Sequence, residues 1–348
     1  MDVFVCAGCE APLSAPVFRV ALPVHAHHSS WHELLPPLME QGTYAVDPLP
    51  SGPPYRRRQE IEEDEAAARG VYAPEYSVSF GAAGRIALAP GDSRGTVLIP
   101  ERCDGYCVGL DGRDGPNLAC ERCASAVGTR VDDCGMWQAV WLEPGAVRRV
   151  ASVGGPAPVD PVPGVRPRPP VEPGGGWDGR WVAAVAVALA HLVVAAEGDP
   201  VTFPAGGLLA ETFARGADAV LPMGPVRKSV GLAGPGVPVS GHDIALVPRD
   251  PVTGEPWRPS ADVPVAPLSA EVWAYLAEPP ETAPLPASGT LPPGVLRDDY
   301  PLPPHPAYTF EMDRRIFLHT LARHPAVRRP RIRAVYDRVL AGRNQLWL

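Results

Sequence analysis

Phe4-Val5-Cys6-Ala7-Gly8-Cys9 and, far downstream, Cys120-Glu121-Arg122-Cys123 decide how the first half of this chain is read. Each is a CxxC unit, the spacing at which a tight turn presents two sulfurs to one ion. Four thiolates complete a tetrahedral shell of the kind Zn2+ takes in structural sites, with no position left for a reacting water. Val3–Val5 reads as a strand leading into the first knuckle, and Ala7-Gly8 is small enough for a tight turn. Structural zinc on Cys6, Cys9, Cys120 and Cys123 is the expectation; redox dithiols and ordinary buried cysteines are the alternatives.

Outward from the knuckles, residues 1–150 hold all seven cysteines. Strand-like runs are expected at Val17–Leu22, Tyr76–Phe80, Arg85–Leu88, Thr96–Ile99 and Met136–Leu142. Between them, Arg56–Arg69 is densely charged and ends before Gly70, which predicts a solvated helix with a glycine C-cap. Residues 151–176 are rich in proline and glycine and predict an extended linker. Residues 177–348 alternate apolar helices with Pro/Gly loops. Helices are expected at Trp181–Ala196, Gly207–Arg215, Leu268–Ala277 and from Pro330 on, and one strand at Ile244–Val247. The fold class expected is α+β: a zinc-clamped β-rich domain followed by a mainly helical one.

Composition bounds the rest. At 348 residues the chain is too long for one ordinary core, and 45% hydrophobic residues suffice for two. Gly 35 and Pro 46 shorten the elements. The net charge of −8 hides an asymmetry. Asp313–Arg343 carries nine arginines and two aspartates, a net +7 that leaves −15 elsewhere. An amphipathic terminal helix docked on its own acidic body accounts for this. Nucleic acid is not an expected partner, since no aromatic platform accompanies the charge. Trp181–Ala196 is apolar but short of the ~20 residues that span a bilayer, so no membrane is expected. Met1-Asp2 lacks the basic start of a secretory signal, and a cytoplasmic, reducing location follows.

The first ~140 residues resemble the β-tent zinc-binding group: Yippee proteins, the ligand-binding domain of cereblon and the methionine sulfoxide reductase B enzymes. Phe4–Cys9 and Cys120–Arg130 carry the resemblance. Members commonly continue the second knuckle as Gly-x-x-Leu-Gly-Trp. Here Gly128 matches, while Ala124, Val127 and Thr129 stand at the Gly, Leu and Trp positions. The resemblance implies a β-rich fold clamped by a zinc ion between its two knuckles, and in several members a small group held by an aromatic cage beside the zinc. Trp137 and Trp141, four apart in one strand, share a face and are either a core pair or ligand-lining residues.

The resemblance also implies a second function: thiol oxidoreduction with Cys134 as nucleophile and Cys103 or Cys107 as its partner. Asp132 and Asp133 oppose it by raising a neighbouring thiol, and the Arg-Tyr-Cys-x-Asn setting of the reductases is absent. A second metal on these thiols is a further option. His25, His27, His28 and His32 form one cluster, expected as a solvated loop, since Pro36 interrupts the helix that a zinc-protease reading of His32-Glu33 needs. Gly231–Gly236 lacks phosphate-loop spacing, and Ser240-Gly-His242-Asp243 lacks a nucleophile elbow. The sequence therefore supports a zinc-stabilised binding or scaffold protein, its partner an unspecified small molecule or protein.

Overall fold

The structure is a computed structural model describing residues 1–26, 34–151, 165–172, 174–225, 227–239, 241–279 and 310–344. The chain divides into two compact units. One is Met1–Val162 with Val252–Gly254 and Ala322–His324; the other is Pro163–Pro251, Glu255–Leu321 and Pro325–Leu348. The expected linker falls largely on 152–164 and 173, outside the described residues.

The first unit is built from short strands. In chain order they are β1 (Asp2–Cys6), β2 (Phe18–Arg19), β3 (Thr43–Asp47), β4 (Tyr55–Arg57), β5 (Ser77–Ser79) and β6 (Arg85–Leu88). β7 (Thr96–Leu98), β8 (Leu118–Cys120), β9 (Ala126–Val131), β10 (Ala139–Leu142) and β11 (Val147–Ala151) follow, with one short helix, α1 (Glu63–Ala68). β1 and β11 make a two-stranded antiparallel sheet. Seven strands form a second sheet in the order β2-β3-β6-β10-β9-β8-β7, antiparallel except for β2 beside β3. Phe4, Cys6 and Val147 from the small sheet and Tyr44, Leu88, Leu118, Cys120, Val140 and Leu142 from the large one share a single core. Within it Phe4 meets Tyr44 edge-on at 4.9 Å. Both knuckles thus leave strands whose apolar sides are already fixed by packing.

The charged stretch Arg56–Arg69 departs from the expected helix. Its first residues form β4, paired with β5, Arg58–Glu60 makes a single 3-10 turn, and only Glu63–Ala68 is α-helical. The cause is Phe80, whose ring is covered by the guanidinium groups of Arg56 at 4.2 Å and Arg69 at 3.7 Å. Cation–π packing of this kind holds the two ends of the segment over one ring, which a continuous helix does not allow. Gly70 does take the left-handed conformation of a C-cap, at φ 74°.

The second unit contains more sheet than the single expected strand. α2 (Gly179–Ala195), β12 (Val201–Thr202), α3 (Leu208–Val220), β13 (Lys228–Leu232), β14 (Ile244–Pro248), β15 (Val265–Leu268), α4 (Ala270–Ala277), α5 (Arg314–Ala322) and α6 (Pro330–Asn344) follow in order. β12 to β15 form a parallel four-stranded sheet in sequential order. α2 starts where the Asp178 carboxylate accepts from the Trp181 amide and packs on β15 and β14. It is buried on nearly all sides. No described helix is long and apolar enough to cross a membrane. α6 buries Ile332, Val335, Tyr336 and Val339. Its arginines bond locally: Arg331 to Asp199 at 3.2 Å, Arg333 to Asp337 at 2.8 Å, and Arg338 to the Val220 carbonyl at 2.7 Å.

Candidate metal centre

Cys6 closes β1 and Cys120 closes β8, so one knuckle hangs from each sheet. The two turns are copies of each other. In the first, the Cys6 amide donates to Ala11 O and the Glu10 amide to Cys6 O, both at 2.9 Å. In the second, the Cys120 amide donates to Ser125 O and the Ala124 amide to Cys120 O, both at 2.8 Å. The same offsets recur, five residues and four. The fifth residue of each turn is left-handed: Glu10 at φ 62° and Ala124 at φ 58°.

That repetition sets the sulfurs. Cys6 Sγ lies 3.6 Å from Cys123 Sγ, and Cys9 Sγ lies 3.6 Å from Cys120 Sγ, pairing the turns crosswise. All four sulfurs fall within 4.8 Å of one another. A tetrahedron with metal–sulfur bonds of about 2.3 Å has edges of roughly 3.8 Å, so four thiolates at these positions fit an ion at their centre. Cys6 and Cys120 are buried in the core, while Cys9 is half-buried and Cys123 exposed. Contact with the Ser125 hydroxyl, 3.4 Å away, and with its amide lowers the Cys123 thiol to about 6. Cys9, despite the Ala11 amide, is pushed up to about 12 by burial and the neighbouring thiols. One sulfur is thus ready as thiolate and another needs a cation beside it, as expected of an electrostatically coupled set.

Left-handed backbone costs about 1–2 kcal/mol for a residue with a Cβ, against about 0.5–1 kcal/mol of extra chain entropy for glycine. Ala124→Gly should therefore stabilise the metal-loaded protein by about 0.5–1 kcal/mol, or roughly 1–4 °C. A melting curve showing no gain removes strain at this turn from consideration.

Comparison with known protein families, curated proteins and solved structures finds no match for this chain.

The remaining candidate residues are dispersed. Trp141 in β10 lies between Ala87 and Thr129 across the sheet. Its indole covers Gly52 so closely that a Cβ there would sit 2.8 Å from the ring. The loop carrying Gly52 is fixed by buried polar groups. Asp47 accepts from the Ser51 amide and hydroxyl, Ser79 donates to Gly52 O, and Arg85 bonds Pro53 O and Glu143. Burial raises the Asp47 carboxyl. Trp137 precedes the strand and packs against His25 at 4.4 Å. Both indoles are buried, and the Trp137 Nε1–H has no acceptor among the described residues.

His25 is buried against this indole and not solvated as expected; His27, His28 and His32 lie outside the described residues. Cys107 and Cys134 come together with Asp133, whereas Cys103 donates to the Ile99 carbonyl at 3.2 Å. A hydrogen bond from the Cys134 S–H to Cys107, burial and the charge of Asp133 raise the Cys134 thiol to about 11. Among the glycines of the second unit, Gly231 lies under the His242 ring and Gly234 under the Trp273 ring, so close packing accounts for both. Asp243 accepts from the Ser229 amide and hydroxyl at 2.8 Å, while Ser240 lies outside the described residues.

Proposed function

We propose that the first unit is a non-catalytic zinc module of β-tent type that stabilises a binding or scaffold protein of a reducing, cytoplasmic compartment. The observation that carries this reading is the pair of knuckles with matching hydrogen bonds, one on each sheet, that bring four sulfurs into a single set. An all-thiolate shell is closed, so the ion holds the sheets together and offers no site for substrate or water. Ligand capture, in this reading, falls to Trp137, since the Trp141 indole is already covered by Gly52. The unsatisfied Trp137 N–H favours a small molecule or peptide that carries a hydrogen-bond acceptor, because a buried donor without a partner costs about 1–3 kcal/mol.

Elemental analysis of the reduced protein should find zinc, and replacement of that zinc by Co2+ should give the intense sulfur-to-metal bands of a tetrathiolate. In a Cys107→Ser/Cys134→Ser variant, which keeps the four knuckle cysteines, cyanide or azide should leave those bands unchanged, since a closed shell has no room for them. Acidification should release the ion, because protons compete for the thiolates. A spectrum of that variant that shifts with added anion defeats the closed-site reading. The second reading, thiol oxidoreduction through Cys134 and Cys107, is favoured only by their proximity. It requires that Cys134→Ser abolish turnover of a sulfoxide substrate with a dithiol reductant while leaving the fold intact.

A further inference from the structure

The loop that carries Cys107 folds back on itself, with the Gly105 amide donating to Gly109 O at 3.0 Å and Gly109 at φ 103°. It is then tied to the segment after β9 by a bridge between Leu110 and Asp132. One carboxylate organises the junction. Asp133, only 5% exposed, accepts from the Val108 amide at 2.7 Å and the Cys134 amide at 2.8 Å on Oδ1. Its Oδ2 faces the Cys107 amide at 3.5 Å, too long for a good hydrogen bond. No arginine, lysine or histidine pairs with this carboxylate among the described residues. The two amide bonds fix this carboxylate beside two thiols. One ligand atom from each of Cys107, Asp133 and Cys134 lies within 4.8 Å of the others.

We propose that Cys107, Asp133 and Cys134 form a second metal site, separate from the tetrathiolate centre, that takes a thiophilic divalent cation such as Zn2+. Binding forms two metal–sulfur bonds and one metal–oxygen bond and releases the two thiol protons to solvent. The amides already on Asp133 orient the carboxylate, the part that outer hydrogen bonds play around ligating groups. Three protein ligands leave the fourth position to water or to an incoming group, which is the pattern of open rather than structural sites. Cys107 is exposed, so the ion enters from solvent. The proposal is independent of the closed centre: it uses none of its sulfurs.

The test is metal stoichiometry on the full-length reduced protein. Dialysed against micromolar Zn2+, the wild type should hold two ions per chain, and the Cys107→Ser/Cys134→Ser double variant one. Co2+ added to protein with its first zinc in place should give a thiolate band that changes with cyanide or imidazole. The double variant should lack that band and keep the wild-type circular dichroism, which separates loss of the site from loss of the fold. A single ion in the wild type that the double variant keeps, or a second ion retained by the double variant, overturns the proposal. So does a Cys107–Cys134 disulfide in air-exposed protein whose reduced form takes up no second ion. If the tetrathiolate reading fails instead, the ion that goes missing is the one that Cys9→Ser removes.

Discussion

Removing the metal from the Cys6, Cys9, Cys120 and Cys123 set is expected to lower the melting temperature of the first unit by about 10–20 °C. The size follows from two independent scales. Cross-linking residues about 100 apart restricts the unfolded chain by roughly 5 kcal/mol in the loop-closure treatment. Structural zinc in small peptides contributes an apparent 10–16 kcal/mol. Here the crosswise sulfur pairs join positions 111 and 117 residues apart, so the lower figure is the conservative one. For a unit of this size each kcal/mol moves the midpoint by about 2–4 °C. Domains have only about 5–15 kcal/mol in total, so the metal-free unit sits near the margin of folding. Cys9→Ser and Cys123→Ser isolate the effect, because these sulfurs lie outside the core while Cys6 and Cys120 are within it. Both variants should melt like chelated wild type and be indifferent to chelator. A chelated protein shown to be metal-free yet melting as before would sink the structural role.

Trp181→Ala should destabilise the second unit by about 3–5 kcal/mol, the usual cost of emptying a tryptophan site in a packed interior. Trp181 is 1% exposed, in the first turn of α2, with Tyr275 edge-on at 5.4 Å. The surrounding helix is lined by alanine and valine, small side chains with little reach to refill the space. Urea unfolding followed by circular dichroism reads the loss as a lower midpoint. Metal content should not change, since every cysteine belongs to the other unit. A loss below about 1 kcal/mol means that the cavity closes by collapse of the helix onto the sheet.

The knuckles were legible because CxxC is a local signal whose chemistry depends on few neighbours. Their mutual placement was legible only as an expectation, since β11, which pairs with β1, begins with one buried residue and continues through two exposed arginines. Such a strand has no alternation to betray it. β3 was hidden in a proline-rich surround, although Thr43-Tyr44-Ala45-Val46 has the residue types of a strand. In the second unit, β12 is two residues long, β13 contains Gly231, and β15 contains Pro267. Proline is admissible there because β15 is an edge strand, a fact of topology that no local window contains. Asp133 was read as a charge that opposes thiolate formation. Its three amide contacts come from two separate stretches of chain, so only the fold could disclose them.

The pairing of β1 with β11 also imposes an order of events on a ribosome. Asp2 is opposed by Ala151, so the earliest strand of the unit, bridged early only to Pro12 and Val17, lacks its sheet partner until nearly the last strand has been made. At about 5–20 residues per second, that interval is roughly 7–30 s. For most of it, until Cys123 is made, the first cysteine pair is translated without the second, a half-shell that would hold metal weakly and is open to exchange with other thiols. The four-sulfur set can close only once the second pair has been made, so any metal it holds is captured late in the synthesis of the unit.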